Sequence, residues 1–262
     1  MTKISQFCKH KRWSRKPLLV ATWLMVTLLL LARVPDLRAE TMVLGDQLCT
    51  LWKNLSGNDL VDVSGTSGDP LLDKQLALEA QRIADLFDIH PGLKIATAPA
   101  GYANNALADP KTIVPGTNGT VVLGHDLVYT ELQKNRRGWG GLTVAGFMAH
   151  EFAHIYQFST KYRKLLMEGS PTVMPVELHA DFLAGYYLGV KRREGSKADI
   201  GAFTDGIYIV GDNLVTDKGH HGRSAERRAA VIRGYKTGIQ RGRLPISEIA
   251  DIGVTVVQKL TQ

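Results

Sequence analysis

Residues 149–158 read AHEFAHIYQF, and the fold turns on how this decapeptide is read. It holds two histidines, His150 and His154, with Glu151 beside the first. On a helix, positions i and i+4 share one face a turn apart, so both imidazoles project together. Glu151 is rotated by about 100° from His150, near enough to meet a water held between the histidines without being a ligand itself. Two ligands and a neighbouring base is the mechanical content of the H-E-x-x-H pattern.

The next long apolar segment completes the set. In VELHADFLAGYYLG (176–189), Glu177 follows His154 by 23 residues, and Glu177 and Asp181 again fall at i and i+4. Leu178, Phe182, Leu183 and Tyr186 make this helix largely apolar, and carboxylates on an apolar helix need a cation or a strong donor. Glu177 therefore reads as a third ligand, giving His, His and Glu plus water, a set suited to one catalytic Zn²⁺ per chain. Asp181 is placed to accept the outer N–H of a ligating histidine and so fix its tautomer. His179 is rotated by about 200° from Glu177 and points away from the metal. Gln157, a turn beyond His154, packs beside the site.

HEFAH followed by ELHAD resembles the gluzincin metallopeptidases, in particular the CAAX prenyl protease and HtpX group, whose pattern is H-E-x-x-H and then E-x-x-x-D on the next long helix. ELHADFLAG and HGRSAERRAAVIRG (221–234) are similar to the YpfJ-type neutral zinc metallopeptidases. The resemblance covers roughly residues 70–240. It implies a minimal, mostly helical zincin domain with peptides or proteins as substrates. His150, His154 and Glu177 are then the ligands, Glu151 the base and Asp181 their support. His221 and Arg227 fall on the late motif, with His220 competing for the role of His221, and His221 or Arg227 is expected to donate to the developing oxyanion. Where relatives carry proline after that histidine, this chain has Gly222. NNALAD (104–109) and GTVVLGHDLV (119–128) resemble the family's Asn-Ala segment and the edge strand beside the zinc helix. An edge strand can hold an extended peptide, so Val121, Val122, Leu123 and Gly124 are expected to bind substrate backbone; an interior strand is the other reading of this segment.

Outside the motifs the chain reads as α+β. Turn-rich DVSGTSGDP (62–70) leads into a helix over 71–88 with apolar positions at Leu72, Leu76, Ile83, Leu86 and Phe87. Short strands are expected at 93–98 and 119–128, with strand ends and loops between them. RRGWGG (136–141) reads as a glycine-rich hinge. Helices follow near 142–159, 175–190, 200–213, 223–239 and 245–260. A small sheet between an early helix and a late helical bundle argues against a doubly wound architecture. His90 and His125 read as surface or capping histidines, and KRREGSK (191–197) as a solvated loop.

The net charge of +7 suggests an anionic partner until it is located. Residues 1–39 hold eight basic side chains and one acid, Asp36, which leaves 24 of each sign in residues 40–262. The body is formally neutral, and a nucleic-acid partner loses its support. The leader has a basic stretch up to Lys16, then fifteen uncharged residues from Leu18 to Ala32, then a polar segment to Ala39. That order is expected of a secretory signal peptide cleaved after Ala39, or of an uncleaved membrane anchor. The expected organisation is thus a leader, 1–39, and one zinc metallopeptidase domain, 40–262, exported to the periplasm or beyond. Cys8 lies in the leader and Cys49 is left alone, so no internal disulfide is expected. The rival reading is a zinc-binding envelope protein with a chaperone or assembly role and little proteolysis. A purely structural site has no use for Glu151.

Overall fold

The computed structural model of the chain describes residues 63–97, 103–134, 140–196, 200–209 and 221–262, all within one compact unit, Thr41–Gln262. The leader, Cys49, most of the expected hinge and His220 lie outside the described residues. The described residues are mostly helical with a small mixed sheet, an α+β arrangement. None of their helices is long and apolar enough to cross a membrane.

Strand β1 (Val63–Ser64) precedes helix α1 (Pro70–Phe87). Asp69 caps α1 by accepting from the backbone N–H groups of Leu71 and Leu72, and Pro70 supplies a first residue whose missing N–H costs the helix nothing. Strands β2 (Gly92–Ala96), β3 (Ala106–Asp109) and β4 (Thr120–Gly124) follow, and the sheet order is β1-β2-β4-β3. Strand β4 runs parallel to β2 and antiparallel to β3.

This order corrects one expectation. Val121 to Gly124 do not form an edge: β4 pairs with β2 on one side and with β3 on the other, and all four residues are buried. Their ladder groups are already spent, so they cannot add a peptide strand. Among the described residues the exposed side of the sheet next to the histidine helix belongs to β3, the NNALAD segment. The strand also ends earlier than expected. Helix α2 (His125–Lys134) starts directly after Gly124, and its largely polar, half-exposed composition hides the helical period.

Helix α3 (Gly140–Ser159) carries AHEFAHIYQF and is the spine of the molecule. Nearly every position from Leu142 to Gln157 is buried, as expected of a helix apolar on all sides that packs between other elements. It contacts the sheet, α1, α2 and the second long helix, α5 (Met174–Arg193), which follows the short α4 (Tyr162–Met167). Helix α6 (Gly201–Ile209) leads toward the late bundle of α7 (Ser224–Arg241) and α8 (Ile246–Leu260).

The closest helix pair is α5 with α7. Gly185 and Gly189 on α5 meet Gly234 and Gly238 on α7 backbone to backbone. A Cβ on Gly234 would stand 1.9 Å from the carbonyl oxygen of Phe182, and one on Gly185 would stand 2.1 Å from that of Val231. Glycine on both sides is what allows the axes to come this near. The approach carries the N-terminal turn of α7 over the N-terminal half of α5, where Glu177 and Asp181 lie.

Candidate metal centre

His150 and His154 project from α3 toward Glu177 in the first turn of α5, where the helix dipole favours a carboxylate. The two Nε2 atoms lie 3.1 Å apart. Glu177 Oε2 is 3.4 Å from His150 Nε2, and Glu177 Oε1 is 3.4 Å from His154 Nε2. Atoms bound at about 2.0–2.1 Å around a tetrahedral ion are separated by about 3.3 Å, so these spacings are those of three ligand positions on one ion. The donor chemistry agrees. Two imidazole nitrogens facing at 3.1 Å repel, lone pair to lone pair, unless a metal ion lies between them or one of them carries a proton. His150, His154 and Glu177 together can hold a metal ion.

Both histidines are held from behind. Asp181 is fully buried, and its Oδ1 lies 2.9 Å from His150 Nδ1, although off the line of the ring N–H. Arg227 of α7 grips the same carboxylate, Nε donating to Oδ2 at 2.7 Å and Nη2 to Oδ1 at 2.9 Å. His154 Nδ1 stands 2.8 Å from Gln157 Oε1. Gln157 in turn reaches the carbonyl of Val176 at 2.9 Å and His179 Nδ1 at 3.0 Å.

The charges follow from this packing. Burial opposes the charge on His150, but Asp181 and then Glu177 outweigh it and push its pKa up to about 10. Burial pushes Glu177 upward, yet His154, His150 and His221 hold its carboxyl well below the usual range. Burial likewise raises Asp181, and Arg227 and His150 more than reverse it. Glu151 differs from these acids: burial raises its pKa and nothing overcomes that, leaving a carboxylate readier to accept a proton.

The ligand group opens on a cavity of about 640 Å³. Glu151, His221 and Arg227 line it together with the three ligands. Asn104–Ala108 of the β3 side form one wall, and Phe147, Phe158 and Val176 contribute apolar surface. His221 Nδ1 is 3.3 Å from Glu177 Oε2, on a side chain about half exposed at the cavity mouth. Gly222 after it has φ of 101°, a conformation closed to proline. Arg227 sits deeper, with two of its donors committed to Asp181 and Nη2 at 3.7 Å from Glu177 Oε2. It acts on the ligands through that carboxylate.

Seven of the residues singled out in the sequence therefore come together: His150, Glu151, His154, Glu177, Asp181, His221 and Arg227. Val121–Gly124 do not line the cavity, and β3 takes that place. Gln157 and His179 also belong to this arrangement. His179 does point away from the ligands, but it points into the hydrogen bonds that support them. Comparison of the chain with protein-family models, curated proteins and solved structures gave no match.

Proposed function

We propose that this protein is an exported zinc-dependent metallopeptidase of gluzincin type. One observation carries the reading. A carboxylate, Glu151, stands outside a His-His-Glu ligand group yet in the same cavity, with its pKa raised by burial. Two nitrogens and a carboxylate around an open position serve catalytic zinc and non-haem iron alike, and the base beside them, Glu151, favours the zinc-hydrolase reading. Bound there, zinc lowers the pKa of a water toward ~7 and polarises a carbonyl.

The chain's own residues supply the rest of the reaction. Glu151 accepts the proton of the attacking water and returns it to the leaving amine. His221, at the cavity mouth, can donate to the oxygen of the tetrahedral intermediate, a contribution of ~3 kcal/mol for one such donor. The outer edge of β3, Ala106–Asp109, offers backbone groups to an extended peptide beside the cavity. No serine or cysteine nucleophile is required. Export is supported by the order of the leader, basic then apolar then polar, and by the neutral body that follows it.

The test uses the purified full-length protein. It is expected to hold about one zinc per chain and to cleave an unfolded protein substrate, with activity lost to a chelator and restored by zinc. Full zinc content in both His150→Ala and Glu177→Ala, or zinc without any hydrolysis, would refute it.

A further inference from the structure

The second histidine of the metal group is held by a hydrogen-bond chain with one consistent proton assignment. Two backbone carbonyls, which can only accept, fix it. Gln157 Nε2 lies 2.9 Å from the carbonyl of Val176, so the amide NH₂ faces that carbonyl and Oε1 faces His154 Nδ1 at 2.8 Å. An amide oxygen cannot donate, so Nδ1 of His154 carries the proton and Nε2 keeps its lone pair for the ion. At the far end His179 Nε2 lies 3.0 Å from the carbonyl of Ala250 and must donate to it. Its Nδ1 is then an acceptor, 3.0 Å from Gln157 Nε2. Gln157 and His179 are both fully buried, which makes each bond costly to leave unmade.

Ala250 belongs to α8, and α8 seats the His179 ring in two further ways. A Cβ at Gly253 would stand 2.9 Å from His179 Cδ2, so only glycine leaves the ring its place. Tyr162 stacks on the ring with centroids 5.5 Å apart. Its hydroxyl is tied to α8, donating to the carbonyl of Ser247 or to Asp251 Oδ1.

We propose that the C-terminal helix α8, acting through His179, and the Val176 carbonyl of α5 together lock Gln157, which sets the tautomer and aim of His154. A helix that contributes no ligand is thereby part of the metal centre, and Gln157 and His179 are its positioning residues. The inference rests on reading His150, His154 and Glu177 as ligands.

The test pairs zinc affinity, by competition with a chelator, with ¹⁵N NMR of the imidazoles in metal-free full-length protein. The wild type should show His154 as the Nδ1–H tautomer and His179 as the Nε2–H tautomer. Gln157→Leu and His179→Leu should lose the single His154 tautomer and weaken zinc binding by ~10–100-fold. Glutamine at position 179 can accept from Gln157 and donate to Ala250, so His179→Gln should stay within ~3-fold of wild type. Gly253→Ala, which touches no ligand, should weaken zinc in the same direction as His179→Leu. If the leucine variants do not fold, Gly253→Ala and His179→Gln decide the matter alone. An unchanged His154 tautomer with unchanged affinity in the folded variants would overturn the proposal, as would His179→Gln binding as weakly as His179→Leu. Zinc binding that survives His154→Ala would remove the ligand assignment itself, and the proposal with it.

Discussion

Arg227 holds Asp181 with two charge-assisted hydrogen bonds of 2.7 and 2.9 Å, in a place where neither side chain is more than 4% exposed. The same Asp181 carboxylate lies 2.9 Å from His150. One arginine on α7 thus steadies a candidate metal ligand on α3 through an acid on α5. The planar guanidinium fork matters here, because lysine offers a single point of charge.

Arg227→Met should therefore act first on folding. It leaves the Asp181 charge buried beside a polar ligand group, and loss of one partner of a buried pair typically costs ~3–5 kcal/mol. Denaturant unfolding of the metal-free protein measures this. Arg227→Lys should recover only part of the loss, and Arg227→Met with Asp181→Leu should be less unstable than Arg227→Met alone. A loss below ~1 kcal/mol in Arg227→Met would show that the pair is solvated in solution.

Glu151 and Asp181 should separate chemistry from metal binding. Glu151→Gln keeps every ligand, so zinc content should stay at the wild-type level while the peptidase rate falls by ~10²–10⁴-fold. Asp181→Ala removes orientation rather than the base. Its zinc affinity should drop by ~10–100-fold, and added zinc should restore part of its activity. Near-normal turnover in Glu151→Gln would end the proposed mechanism.

The glycine contact of α5 and α7 is also open to test. In Gly234→Ala the new methyl would start from 1.9 Å against a backbone oxygen, which cannot rotate away as a side chain could. The helices must separate, at ~1–3 kcal/mol or more. Because Asp181 and Arg227 sit on the two helices, zinc affinity should fall together with the melting temperature. Alanine at the open Gly141 is the control, since a Cβ there meets nothing within 4 Å. Equal stability of the two variants would contradict the close approach.

What the sequence made legible was periodic. His150 with His154, and Glu177 with Asp181, repeat at four residues on helices long enough to fix their faces, and the structure brings these four side chains together. The early helix was legible from Leu72, Leu76, Ile83 and Phe87, and its start from Asp69 and Pro70. The sheet edge was not. Val121–Gly124 are apolar and uncharged, which fits an edge beside a helix and a buried central strand alike, and only pairing distinguishes them. His179 was hidden for a different reason. Its rotation away from Glu177 was readable, but its partners, Gln157 and Ala250, lie 22 and 71 residues away and come together only through packing.

His179 should leave a pH signature in folding stability. Burial lowers its pKa to about 4 from an ordinary 6.5, and outweighs the hydrogen bond to the carbonyl of Ala250, which favours the protonated ring. Above pH 6.5 the ring is neutral in both folded and unfolded chains, so the folded state keeps its full stability. As pH falls from 6.5 through 4, the unfolded chain takes up a proton that the folded chain refuses, and stability is lost. For a shift of this size the loss is on the order of 3 kcal/mol once both forms are protonated. Other groups titrate over the same range, so the measurement is the difference between wild type and His179→Gln in chelator-containing buffer. Glutamine keeps the hydrogen bonds and removes the titration. Wild type should therefore lose stability faster than His179→Gln between pH 6.5 and 4, with the curves parallel above pH 7. Curves that stay parallel down to pH 4 would mean that the ring can take up its proton in the folded state, and that burial does not keep it neutral.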